Sequence, residues 1–167
     1  LGAAELLHGD GVRFVLIGDG PAKRELARSA KARALDHVEF RDPVPKNRIG
    51  EVLAEADAGL MVLLPAPLFA FGVSPNKLFD YMGASLPVVC NVPGEVASML
   101  QEARAGIQAP DATAEGLAKA IRAMRGLDTD QRRCMGTAGR EWAEREHSRQ
   151  KLAGRLDALL RDISSSR

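Results

Sequence analysis

Lys77 sits where a lysine is poorly placed. In the stretch VSPNKLFDYMGASLPVV, from Val73 to Val89, Ser74 is a helix N-cap by type, and Pro75 suits the first helical position. Asn76 and Lys77 then fall in the first turn, where the helix macrodipole disfavours a cation by about 0.3–1 kcal/mol. The unpaired amides of that turn attract an anion, and a bound anion turns Lys77 from a cost into an asset. Asp80 follows three residues on, on the same helix face. Without a ligand the two would form only a surface ion pair, worth about a few tenths of a kcal/mol. Leu78, Phe79 and Met82 point elsewhere and read as core. Tyr81 suits core or rim, and Gly83 allows close packing or an early stop.

Two further loops carry residues of interest. GDGPAK runs from Gly18 to Lys23. Gly18 and Gly20, flanking Asp19, allow close backbone approach and positive φ. A plain strand-to-helix turn and a ligand-lining turn are both open there, because the pattern is neither G-x-G-x-x-G nor a P-loop. RDPVPKN runs from Arg41 to Asn47, stiffened by Pro43 and Pro45. It reads most simply as a connection, although a stiff backbone around Val44 and Pro45 is suited to reading a flat base edge.

The elements that must hold these loops alternate. A buried strand is expected at about 12–18 and a short strand at 37–41. AGLMVLL is continuously apolar, as in a strand buried on both faces, and LPVVCN and AGIQA follow. Helical spacing fills AKRELARSAKARAL, the segment 45–56, SPNKLFDYMGAS, EVASMLQEA and three closing segments. Strand and helix thus alternate about five times, which calls for a mostly parallel α/β sheet with helices on both faces and a helical C-terminal tail. Ligands of such sheets bind beyond the carboxyl ends of the strands, where all three loops fall.

Composition narrows the function. The chain has 167 residues, enough for one domain with a substantial core. Its 23 Lys+Arg against 22 Asp+Glu leave a formal net charge of +1, so any basic site is local. Aromatics are 4%, too few for a base-stacking surface, which argues against nucleic acid as a partner. Cys90 and Cys134 show no pairing motif and point to a reducing compartment. They and His8, His37 and His147 lack ligand spacing, so no metal is expected. No run approaches the roughly 20 apolar residues of a membrane span. The opening LGAAELL reads as the interior of a longer polypeptide.

The order VRFVLIGDGP, AGLMVLL, SPNKLFDYMGASLPVV, AGI resembles the C-terminal, donor-binding domain of family 4 glycosyltransferases, in the branch that builds bacterial surface polysaccharides such as lipopolysaccharide. The resemblance covers nearly the whole chain. SPNKLFDYM followed by LPVV is its specific part, and GDGP alone is not. It implies a Rossmann-like domain, one half of a two-domain GT-B enzyme. It also implies a retaining hexosyltransferase that moves sugar from a UDP-sugar to a glycan or lipid-linked acceptor, with no metal and no cofactor. On this resemblance Gly18, Asp19 and Gly20 lie near the donor, and Val44 and Pro45 receive the base. Ser74, Pro75, Asn76 and Lys77 meet the diphosphate and sugar, with Lys77 catalytic through charge stabilisation, and Asp80 accepts hydrogen bonds from the ribose. Gly72 departs from the glutamate that many relatives carry there.

The resemblance further implies that the N-terminal acceptor domain, the first strand and basic diphosphate-gripping residues lie outside this chain. The chain alone would then be inactive. The absent strand is central in the family's sheet. Either the strands at VRF and AGL pair directly, in the order 2-1-3-4-5, or another segment fills the gap. The expected location is cytoplasmic or peripheral at the inner membrane face, with membrane contact only through the absent part. The tail would pack against the absent domain and so expose Leu152, Leu156, Leu159 and Leu160 here, whereas Trp142 reads as packed within the domain. Rival readings are a non-catalytic flavodoxin- or receiver-like domain and a GT-B nucleotide-sugar epimerase. The first would need an acidic cluster or a Ser/Thr-rich phosphate loop, and the strand ends IGDG, LLPA and CNVP supply neither.

Overall fold

The computed structural model of the chain describes residues 1–63 and 76–165. Its elements run α1 (Gly2–Leu6), β1 (Phe14–Ile17), α2 (Lys23–Ala32), β2 (Val38–Arg41), a 3-10 turn (Lys46–Arg48), α3 (Ile49–Leu53) and β3 (Gly59–Met61). They continue with α4 (Asn76–Gly83), β4 (Val88–Cys90), α5 (Glu95–Glu102), β5 (Gly106–Gln108), α6 (Ala114–Gly126), α7 (Thr129–His147) and α8 (Arg149–Ser165). The segment 45–56, expected as one helix, is a 3-10 turn followed by five α-helical residues. Pro45 holds extended backbone at ψ 144°, so the helix cannot begin there.

Among the described residues the strands are parallel and fall into two sheets. β1 pairs with β2, placing Phe14 opposite Val38 and Ile17 opposite Arg41. β4 lies between β3 and β5, with Val88 opposite both Gly59 and Gly106. Among the described residues β1 does not pair with β3, so the continuous order 2-1-3-4-5 is not what forms.

β4 shows how the layers arise. Its residues alternate in direction, as strand geometry requires. Val88 and Cys90 join Met61, Leu78, Met82, Val96, Leu100 and Trp142 on one face. Val89 joins Ala3, Leu7, Ala118, Ile121 and Met124 on the other. All three β4 residues are buried, which is why this strand carries no polar residue. Phe14 of β1 and Leu60 of β3 both rest on the second cluster, so α1 and α6 tie the two sheets together.

Local signals set the helix ends. The Thr113 hydroxyl accepts from the Gly116 amide at 3.0 Å. Asp128 and Gln131 form a capping box at 2.8 and 2.9 Å. The second residue after α2, α4 and α5 turns left-handed at Ala34, Ser85 and Arg104, with φ between 51° and 56°. The next amide then bonds back to a carbonyl five residues earlier: Leu35 to Ala30, Leu86 to Tyr81 and Ala105 to Leu100. Each helix is thereby turned sharply toward the next segment.

Candidate functional site

α4 is the element expected to face a ligand, and it is held from behind. Leu78 and Met82 are fully buried, at 0% exposure. The Tyr81 ring covers Gly59 of β3, where any side chain would collide with it, and its hydroxyl donates to the Leu60 carbonyl at 3.4 Å. Burial, and then the charge of Asp80, push the Tyr81 phenol up. Phe79 meets the His147 ring at 5.1 Å, and His147 meets buried Trp142 at 4.8 Å. α7 approaches α4 closely because Gly136 and Gly139 are buried glycines on its inner face.

The outward side of α4 presents Asn76, Lys77 and Asp80, all exposed. Among the described residues no ion pair joins Lys77 to Asp80, so the simple surface pair does not form. Ser74 and Pro75, expected as N-cap and first helical residue, lie outside the described residues.

Asp80 lines a cavity of about 240 Å³ between α4 and the segment formed by the 3-10 turn and α3. Lys46, Ile49, Gly50 and Leu53 form its other wall, and Gly83 and Ala84 its end. The volume lies below the roughly 300–1,000 Å³ usual for a whole ligand, so it suits one part of a larger molecule. Its chemistry combines an apolar floor, a carboxylate acceptor and an ammonium donor. Half-buried Val44 and exposed Pro45 lead directly into the wall that carries Lys46.

The turn at Gly18, Asp19 and Gly20 does not line this cavity. It packs against the end of β2 instead. Gly18, at φ +145°, donates its amide to the Arg41 carbonyl at 3.3 Å. Lys23, the first residue of α2, donates to the same carbonyl at 3.0 Å and to Asp42 at 2.7 Å. Arg41 reaches Glu39 at 2.7 Å and Glu55 at 2.9 Å. The Lys23 ammonium holds the Asp42 carboxyl below its usual range, and Arg41 does the same for Glu39. Glu39 and Glu55 in turn hold the Arg41 guanidinium still more firmly protonated. Reading the sequence for chemistry missed Lys23, Arg41, Asp42 and Lys46. One signal for Lys23 was present: like Lys77, it is a cation at a helix start.

No group of three or more potential metal ligands converges among the described residues. Cys90 is buried and Cys134 exposed, and both are free.

Residues 1–125 match the family model described as glycosyl transferases group 1. The chain belongs to this family. It is 26% identical over 163 residues to the GDP-mannose-dependent alpha-(1-6)-phosphatidylinositol monomannoside mannosyltransferase of Mycobacterium tuberculosis, in two strains. That match covers 95% of this chain and 41% of the relative, so the chain spans about two fifths of the length of the curated relatives it matches. Among solved structures, sucrose-phosphate synthase from Thermosynechococcus elongatus superposes with a TM-score of 0.74 at 19% identity, over 99% of this chain and 43% of that one. WaaG, a glycosyltransferase involved in lipopolysaccharide biosynthesis, gives 0.65 at 20% identity, over 86% and 37%. These two speak for the fold: the group 1 domain has the α/β architecture of GT-B-type neighbours. Among the described residues no helix is long and apolar enough to cross a membrane.

Proposed function

We propose that this group 1 domain binds the nucleoside-diphosphate-sugar donor of a retaining hexosyltransferase, with UDP-sugar as the first candidate donor. The observation that carries the reading is the outward face of α4. Lys77 stands unpaired by Asp80 at the start of a helix whose back is locked into the core, and Asp80 faces a cavity one turn on. A diphosphate at the helix start would gain from both the first-turn amides and the Lys77 ammonium. Asp80 then accepts from ribose hydroxyls, with the base toward Val44 and Pro45. Ser74, Pro75 and Asn76 complete the diphosphate end, and the turn at Gly18, Asp19 and Gly20 flanks the site. As the donor's glycosidic bond breaks, charge grows on the leaving diphosphate, and Lys77 stabilises it without a metal.

The acceptor half is supplied by a second domain of the same polypeptide. Supporting this, the chain spans only 41% of its mannosyltransferase relative. It also leaves β1 with Val15, Leu16 and Ile17 at 36–38% exposure. A second donor reading has its own support: that relative is by name GDP-mannose-dependent. Titrating the polypeptide with UDP and with GDP by calorimetry decides between them. Binding of at least one at millimolar concentration or tighter is expected, with Lys77→Ala weakening it about 10- to 100-fold, the size of a charged hydrogen bond. Absence of binding by both, or an unaffected Lys77→Ala, would remove the site assignment.

A further inference from the structure

We infer that Lys23 and Arg41 form a charge clasp that hangs the α3 wall of the cavity from the start of α2 and the end of β2, making both positioning residues for the nucleotide. This rests on the reading that the cavity takes part of a nucleotide.

The wall needs such a device. α3 has five residues and none is buried, so packing alone does not place it; a helix this short has little stability of its own. The connection leading into it contains Pro43 and Pro45, which have no amide to tie the backbone down. What joins this segment to β2 is ionic. At the near end Lys23 grips Asp42 at 2.7 Å and the Arg41 carbonyl at 3.0 Å. At the far end the Arg41 guanidinium reaches Glu55, just past α3, at 2.9 Å, while Glu39 steadies it at 2.7 Å. The two cationic side chains are only 20% and 31% exposed, so the sheet edge holds the cations in place while their carboxylate partners stay in solvent. Lys23 moreover stands at the first residue of α2, where the macrodipole opposes it; Asp42 and the Arg41 carbonyl offset that opposition. Both ends of the wall are thus fixed, and Lys46 is held across the cavity from Asp80.

The test uses the anionic partners, because Asp42 and Glu55 are 96% and 60% exposed and their neutral replacements are expected to leave the fold intact. The sign of the effect is diagnostic. Removing a carboxylate near an anion site should tighten nucleotide binding by simple electrostatics, whereas loosening the clasp should weaken it. Glu55→Gln and Asp42→Asn are each expected to weaken UDP or GDP binding about three- to fivefold, the scale of one exposed ion pair. Amide exchange at Ala54, Glu55 and Ala56, which close the end of α3, is expected to quicken at least about threefold in Glu55→Gln. Unchanged or tighter affinity in both variants overturns the clasp. If the unsubstituted polypeptide binds neither nucleotide, the donor-site reading falls by itself, and unchanged exchange at those three amides then overturns the clasp independently.

Discussion

At the scale of single residues, the placement of Lys77 makes two properties move in opposite directions. In the absence of ligand a cation in the first turn of α4 opposes the macrodipole. Lys77→Ala should therefore raise the ligand-free stability by about 0.3–1 kcal/mol, or about 1–4 °C in Tm for a domain of this size. The same change should cost nucleotide affinity. A purely structural lysine would lose stability on substitution, so a thermal melt beside a calorimetric titration separates the two roles. Sequence alone brought Lys77 to notice because helix-start chemistry is local. It also placed Leu78, Met82 and Trp142 correctly inside. Lys23, Arg41 and Lys46 were not found, because their partners lie 18, 19 and 14 residues away or across a cavity. Nothing in local spacing reports such pairings.

At the scale of elements, α4 depends on the close approach of α7. A methyl group at Gly136 would collide with the Ser85 carbonyl at the turn that ends α4. Gly136→Ala should therefore destabilise the protein by about 1–3 kcal/mol, as overpacking does. Intrinsic helix propensity alone would instead stabilise it by about 1 kcal/mol. A denaturant titration showing a gain in stability would exclude the collision. The junction of α7 and α8 carries a pH dependence. Hydrogen bonds from Lys151, and next from Arg145, hold the Glu146 carboxyl below its ordinary value of 4.5. Its folded pKa is thus depressed, so its contribution is fully present above about 4.5 and is lost as the pH falls through the lower folded value. Exchange of the first amides of α8 should quicken on acidification below that range. Glu146→Gln should remove this part of the pH response; an unaltered profile in the variant would assign it to other carboxylates.

For the whole molecule, the apolar surface left uncovered is the property to measure. Leu152, Leu156, Leu159, Leu160 and Ile163 on α8 are 44–57% exposed, as the sequence suggested for the first four. Exposed stripes of this kind drive association. The purified polypeptide should self-associate in sedimentation velocity as its concentration rises. Leu156→Arg with Leu160→Arg should shift it toward monomer with little change in Tm, because neither side chain is buried. A monomer at all concentrations before substitution would show that the stripe is inert.

The amino-acid sequence by itself determined the alternation of strand and helix, the buried strand at AGLMVLL and the glycosyltransferase family, because each is written in local pattern or ordered motif, whereas the strand at VRFVLI, expected buried, leaves Val15, Leu16 and Ile17 exposed. It also marked Lys77 and Asp80 as neighbours on one helix face. Only the tertiary structure decided that the strands form two sheets instead of one. That depends on which edges come within hydrogen-bonding distance once α1 and α6 have packed across both. Only the structure, likewise, set Lys46 across a cavity from Asp80 and bound the wall between them to Lys23 and Arg41. Those relations join residues distant in the chain, and long-range contacts become determinate only when the core has closed.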